Sequence, residues 1–317
     1  MPSNDKPRIV FMGTPEFAAE VLEDLAQRGM DIALVVTAAD KPAGRGKQIS
    51  QSAVKKKALD LNLPLAQPTN LKDEGFLSQL QSTHADLFIV VAFRMLPQVV
   101  WSIPRLGTFN LHASLLPKYR GAAPIQWALM NRDQQTGVTT FMIDQHIDTG
   151  AILGQTTVDI PQDCTGGLLH DLLLKAGKPL VFDTINQLFH GQITPVQQSN
   201  QGSSDAPKLN KENTRLDWQW TGLQIEAWVR ALNPYPVAWT ELMQNETVST
   251  VKILSGHYTN DRHNLSPGTL VVDKKTMKVA LGDGWFAIEE IQLPGKKPMT
   301  AAALLNGFSP SPGAYLR

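Results

Sequence analysis

Two apolar runs decide most of what this chain can become. Arg8–Met12 and Ala85–Ala92 are hydrophobic nearly end to end, without the alternation of a half-exposed strand. Strands covered by helices on both faces read this way, and they lie in the middle of parallel sheets. The first run stops at Gly13-Thr14-Pro15, where Thr14 is placed to cap a helix with Pro15 at its first position and Glu16 in its first turn. That helix is expected over Glu16–Gln27, with Phe17, Val21, Leu22 and Leu25 on one face and a stop at Gly29. A strand over Ile32–Thr37 completes a βαβ unit, which requires parallel pairing. The alternation continues with a short strand at Leu63–Gln67, a helix near Asp73–Gln81, the run at Ala85–Ala92 and a brief helix over Leu96–Ser102. A strand ending at His112, a helix at Pro124–Asn131, strands at Thr136–Met142 and Ile152–Ile160, and a long amphipathic segment at Gly166–Phe189 follow. The fold class is α/β, a Rossmann-like, doubly wound, mostly parallel sheet. The first turn reads Gly-Thr-Pro-Glu-Phe rather than G-x-G-x-x-G. Pro15 removes an N–H and Glu16 adds a negative charge, so a nicotinamide dinucleotide is not expected there.

The stretch Gly107–Trp127, GTFNLHASLLPKYRGAAPIQW, concentrates the chemistry. Asn110 and His112 are two apart on a strand and therefore share a face. A carboxamide N–H can hold an oxygen, and an imidazole can give or take a proton near neutral pH. The strand runs into the turn-rich Lys118-Tyr119-Arg120-Gly121, and ligands of open α/β sheets bind beyond the carboxyl ends of strands. Spacing alone leaves two readings open, a site or a strand end whose polar groups satisfy the backbone. The polar loop Asp144–Gly150 holds two carboxylates, Asp144 and Asp148; a carboxylate there can orient His112, or Asp148 can close an Asx turn on neighbouring N–H groups, and sequence separation does not decide between them.

Residues 40–57, DKPAGRGKQISQSAVKKK, interrupt the regular pattern. Lys41, Arg45 and Lys47 sit among Pro42, Gly44 and Gly46, and Lys55, Lys56 and Lys57 follow on the next helix. Such a run is either a solvated surface or a grip on a phosphate backbone. The chain as a whole has 29 basic and 29 acidic residues, so any polyanion must be held by a local patch of this kind. The single cysteine, Cys164, excludes an internal disulfide and a cysteine-based zinc site, and it suits a reducing compartment. The seven histidines show no metal-ligand spacing, so no metal is expected. With no signal-peptide pattern and no apolar stretch near the roughly 20 residues of a membrane span, a cytoplasmic protein without a membrane partner is expected.

Residues 194–213 are polar and rich in Gly and Ser, and they read as a linker between domains over 1–193 and 214–317. In the second domain Thr221 can cap a helix carrying Ile225, Trp228 and Val229. Five short strands are expected, near Val237–Leu242, Thr250–Leu254, Gly268–Val272, Lys278–Leu281 and Phe286–Ile291. They suggest a small β-barrel of OB type. Trp218, Trp220, Trp228, Trp239 and Trp285 can stack on bases, although packing accounts equally for most tryptophans in so small a domain.

Taken together these segments resemble the methionyl-tRNA formyltransferase family. FMGTPEFA at 11–18, KPAGRGK at 41–47, FNLHASLLPKYRGAAPIQWA at 109–128, TGVTTFMID at 136–144 and DTG at 148–150 match its motifs in order. KLNKEN at 208–213, ALNPYPVAWT at 231–240 and LPGKKPMTAAALLNG at 293–307 resemble its C-terminal domain. The resemblance implies the formyltransferase fold with an OB-like tRNA-binding domain, 10-formyltetrahydrofolate as co-substrate and the amino group of methionyl initiator tRNA as acceptor. It implies that Asn110 binds the formyl oxygen, His112 is the acid/base and Asp148 supports it. Ser114, Leu115, Leu116 and Pro117 correspond to the folate-contacting stretch, and Lys41, Arg45 and Lys47 to the loop that enters the acceptor stem. A monomer is expected. Two departures stand out: His146 where the family usually carries Gly, and Val90–Met95 in place of the commoner A-Y-G run. The alternatives are a formyltransferase acting on an amino-sugar nucleotide, a formyl-folate hydrolase, and a non-catalytic folate- or RNA-binding module.

Overall fold

In the computed structural model, which describes residues 6–43 and 48–317, the apolar run at Arg8–Met12 becomes strand β1 (Arg8–Gly13). Helix α1 (Glu16–Gln27) and strand β2 (Asp31–Val36) complete the βαβ unit. The start of α1 differs from the sequence expectation. Pro15 is itself the N-cap, its carbonyl takes the N–H groups of Ala18 and Ala19, and no side-chain cap is made by Thr14. There follow α2 (Ala53–Asp60), β3 (Leu65–Ala66), α3 (Glu74–Ser82), β4 (Leu87–Val91), α4 (Gln98–Trp101) and β5 (Thr108–His112). Ser52 caps α2 and Asp73 caps α3, each accepting a backbone N–H three residues on. Next are α5 (Pro124–Met130), β6 (Gln135–Met142), β7 (Ile152–Asp159) and α6 (Gly166–Phe189).

These strands form a seven-stranded sheet in the order β7-β6-β5-β4-β1-β2-β3. From β3 through β5 every pairing is parallel, and β6 and β7 join antiparallel. The strand order reverses between β1 and β4, which is the switch point where doubly wound sheets open a crevice. On one face Val10, Met12, Leu34, Val36, Phe88 and Val90 form a core with Phe76 and Leu80 of α3 and Val100 of α4. The other face is lined by α1 and α6. Lys178 reaches Glu20 at 2.8 Å, and Arg28 lies over the Phe182 ring at 4.6 Å. The Lys178 hydrogen bond holds the Glu20 carboxyl below its ordinary range.

The chain divides into two compact units, one of residues 1–121, 135–159 and 170–205, the other of residues 122–134, 160–169 and 206–317. Residues 194–205, the first part of the polar stretch, run with the first unit. Val196 pairs with Ile152 through backbone bonds of 2.8 and 2.9 Å.

In the second unit α7 (Gly222–Leu232) starts with a capping box between Thr221 and Gln224, and it packs against α5. Strands β8 (Ala238–Gln244), β9 (Thr247–Thr259), β10 (Leu270–Val272), β11 (Met277–Leu281), β12 (Gly284–Gln292) and β13 (Met299–Thr300) lead to α8 (Ala301–Leu305) and β14 (Tyr315–Leu316). All pair antiparallel in the order β10-β11-β12-β9-β8-β14, with β13 on β12. Backbone bonds from Leu316 to Gly268 (2.8 Å) and from Leu270 to Ala314 (3.2 Å) bring the last strand back to the first, so the barrel is nearly closed. Leu242, Val251, Met277 and Ile291 line its interior. Trp218 is buried with its indole N–H on Thr240 Oγ1 at 2.9 Å, and Trp228 meets Trp127 and Trp220 ring to ring. These indoles are packing groups. Trp239 differs, with Lys211 and Arg215 over its ring at 5.1 and 5.4 Å.

Candidate active site

Strand β5 is the last parallel strand, and its carboxyl end opens the site. In register, Asn110 stands beside Val90 of β4 and opposite Phe141 of β6, while His112 stands opposite Thr139. Leu111 between them packs toward Gly177 of α6. Alternation therefore turns Asn110 and His112 together to the other face, the side of α3 and α4. Among the described residues the half-buried Asn110 carboxamide has no hydrogen-bonding partner. It is open to a ligand.

His112 is 6 % exposed, with Phe141 edge-on to its ring. Its Nε2 lies 2.8 Å from the carbonyl of Tyr119. A carbonyl only accepts, so Nε2 carries the proton in the neutral ring, and Nδ1 is left with its lone pair. That nitrogen faces Asp148 Oδ2 at 3.7 Å, beyond hydrogen-bond length but within range of a strong charge interaction once the ring is protonated. The structure thus brings Asn110, His112 and Asp148 to one place from β5 and from a loop 36 residues later in number. The same Oδ2 of Asp148 accepts the N–H of Gly121 at 2.8 Å.

The loop before Asp148 is shaped by Asp144, which accepts the N–H of His146 at 2.9 Å and the hydroxyl of Thr149 at 2.8 Å. The Asx turn considered for Asp148 belongs to Asp144 instead. His146 does not take a left-handed conformation; Asp148 does, with φ +55°. Gly150 follows because a Cβ there would run into the carbonyl of Met142.

Thr139 was not singled out by sequence, yet it organises the loop after β5. Its buried hydroxyl donates to the carbonyl of Ser114 (2.6 Å) and accepts the N–H of Leu116 (3.2 Å) and the amide of Gln155 (2.9 Å). Of the four residues matched to a folate-contacting stretch, Ser114 is buried with its hydroxyl on the Lys118 carbonyl at 2.6 Å, and Leu116 is buried. Leu115 and the cis Pro117 are partly open. At the end of β4 the Arg94 guanidinium is committed to the carbonyls of Pro68 (2.5 Å) and Thr69 (3.0 Å), tying together the loops after β4 and β3.

In the basic stretch, Lys41 belongs to a short strand, Lys41–Ala43, paired with Gln48–Ser50. Arg45 and Lys47 lie outside the described residues. Two lysines of α2 are neutralised, Lys55 by Asp40 (2.5 Å) and Lys57 by Glu23 (2.8 Å). The bond from Lys55 keeps the Asp40 carboxyl below its usual range. Cys164 is buried and desolvation pushes its thiol up, so it supplies no nucleophile. Among the described residues no three His, Cys, Asp or Glu side chains gather as a metal site would require.

The arrangement offers a free amide donor, an imidazole with one fixed proton and one open nitrogen, and a carboxylate to receive its charge. Comparison with known proteins agrees with a single chemistry. The family model described as formyl transferase matches residues 7–185, and that of the formyl transferase C-terminal domain matches residues 208–309. The methionyl-tRNA formyltransferase of Flavobacterium johnsoniae is 49% identical over 306 residues, covering 96% of this chain and 97% of its own. That of Bacteroides thetaiotaomicron is 47% identical over 312 residues, with 96% and 97% covered. Among solved structures, the sugar 3N-formyl transferase WlaRD, with dTDP and 5-N-formyl-THF, superposes with a TM-score of 0.64 at 20% identity over 92% of this chain and 99% of its own. At that identity the likeness is one of fold.

Proposed function

The chain belongs to the methionyl-tRNA formyltransferase family, and on that premise we propose how its residues transfer the formyl group of 10-formyltetrahydrofolate to the amino group of methionyl initiator tRNA. The formyl donor is a substrate, consumed at each turnover. The neutral amine of the methionyl group attacks the formyl carbon, and the carbonyl oxygen becomes an oxyanion. The Asn110 carboxamide N–H, unclaimed by other described side chains or backbone groups, would donate to that charge, and a donor set in advance costs no reorganisation at the moment of reaction. As the amine becomes cationic, His112 Nδ1 takes its surplus proton. The resulting imidazolium keeps one N–H on the Tyr119 carbonyl and turns the other to Asp148. Collapse of the tetrahedral adduct breaks the bond to N10, which receives the same proton from His112. Tetrahydrofolate and formyl-methionyl-tRNA leave, and atoms and protons balance without a covalent enzyme intermediate.

The observation that carries this reading is the state of the imidazole. Its Nε2–H is committed to a carbonyl, and its Nδ1 is open beside a carboxylate, which suits a proton carrier more than a strand-end side chain. Ser114–Pro117 would flank the donor, with Leu115 and Pro117 the side chains still partly open. Residues 1–193 would serve as the catalytic domain, 194–213 as a connector and 214–317 as the tRNA-binding barrel. The enzyme would work as a monomer in the cytoplasm; no helix among the described residues is long and apolar enough to cross a membrane. The test is formyl transfer from 10-formyltetrahydrofolate to charged initiator tRNA, with charged elongator tRNA and an amino-sugar nucleotide as controls. Product on initiator tRNA is expected, and product on the sugar alone would refute the reading.

Lys41, Arg45 and Lys47 are assigned to the phosphates of the tRNA. Arg45→Ala is expected to weaken tRNA use and to lower the slope of log affinity against log salt by roughly 1, with binding of the folate unchanged. Titration of both substrates at several salt concentrations checks it. An equal loss of folate binding would move the loop to a different role.

A further inference from the structure

The polar segment 197–204, which forms no helix or strand, is hydrogen-bonded to both partners of His112. Gln198 is the centre of one contact. Its amide N–H groups donate to the carbonyls of Asp148 (2.9 Å) and Gly150 (2.7 Å). Its carbonyl oxygen accepts from Arg120 Nε (3.2 Å) and from a terminal guanidinium nitrogen (2.8 Å), and Arg120 also reaches Asn200 at 3.3 Å. Arg120 can only donate and the two backbone carbonyls can only accept, so the amide has one consistent orientation. Ser204 is the other contact. Its hydroxyl accepts the N–H of Tyr119 at 2.9 Å and its carbonyl accepts the N–H of Arg120 at 2.8 Å. The residue whose carbonyl holds His112 Nε2 and the residue whose carboxylate faces Nδ1 are thus fastened to the same strap.

We propose that Gln198 is a positioning residue for formyl transfer, setting Asp148 against His112 from outside the site. The inference rests on the role assigned to Asp148 above. Asp148 is left-handed and not glycine, a conformation that persists only where the surroundings over-determine it. Gly121 holds its side chain, and Gln198 holds its carbonyl together with that of Gly150, two residues on. The carboxylate is already 3.7 Å from the imidazole, and a further displacement weakens its hold on the imidazolium and lets the ring turn. Removing the partner that orients a metal-ligating side chain lowers activity by about 10–100-fold, and the lower end of that range is expected for a side chain that orients a charge partner instead.

The test uses the full-length enzyme and two variants. Gln198→Ala removes the whole clamp. Gln198→Glu keeps an acceptor for Arg120 but has no N–H for the two carbonyls. Both are expected to lower kcat about 10-fold or more while KM for the folate and for the tRNA stays within about twofold. Added to Asp148→Asn, Gln198→Ala is expected to change kcat by less than about twofold, because the two act through one interaction. Wild-type kcat in Gln198→Glu, multiplicative losses in the double variant, or a loss divided equally between kcat and substrate binding would each overturn the proposal. Wild-type turnover in Asp148→Asn alone would instead overturn the assignment of Asp148, whatever Gln198 does.

Discussion

Replacing His112 with alanine is expected to lower kcat for formyl transfer by about 10²–10⁴-fold, the worth of a positioned acid/base. Binding of tetrahydrofolate, read by calorimetry, is expected to stay near its wild-type strength. The loss falls in kcat because His112 carries a proton only while the tetrahedral adduct forms and collapses. Stability changes too, and for a separate reason. His112 is buried and its Nε2–H satisfies the Tyr119 carbonyl. Truncation leaves that carbonyl without its donor, at a cost of about 1–3 kcal/mol. His112→Gln separates the two effects, because a carboxamide can donate to the carbonyl but does not carry a proton at neutral pH. It is expected to recover the unfolding temperature and not the turnover. Unchanged turnover in either variant would remove His112 from the reaction.

The sequence made the parallel half of the sheet plain because its strands are buried on both faces. Arg8–Met12 and Ala85–Ala92 could hardly be anything else; β1 covers the first and runs one residue further to Gly13, and β4 lies within the second. Asn110 and His112 were legible for a similarly local reason, since a period of two puts them on one face whatever surrounds them. Asp148 was visible only as a carboxylate in a polar loop; the family resemblance, not spacing, attached it to His112. What escaped were contacts made by the backbone or across long separations. The Tyr119 carbonyl has no sequence signature. Gln198 lies 50 residues from Asp148 in a stretch whose composition says only that it is polar. Thr14 has the side chain of a cap, yet α1 starts after Pro15, whose own carbonyl takes the N–H groups of Ala18 and Ala19. In the barrel, β13 and β14 are two residues long, too short for any alternation to register, and β14 is the strand that brings the barrel toward closure.

Asn110→Ala is expected to lower kcat by about 10²–10³-fold, the loss measured when one oxyanion donor is removed. KM should barely move, because the formyl oxygen bears its full charge only near the transition state, and an interaction made there alone appears in kcat. Unlike His112, Asn110 has no side-chain partner among the described residues, so truncation leaves no orphaned group behind. Its unfolding free energy should stay within about 0.5 kcal/mol of wild type, as for other changes away from buried partners. Asn110→Asp then distinguishes charge from shape. Aspartate fills the same space but offers the oxyanion a negative charge and no N–H. If donation is the function, aspartate will be at least as slow as alanine; if Asn110 only shapes the strand end, aspartate will keep much of the rate. Steady-state kinetics on the two variants, with melting curves for both, decides between them, and kcat within about twofold of wild type in Asn110→Ala would end the oxyanion assignment.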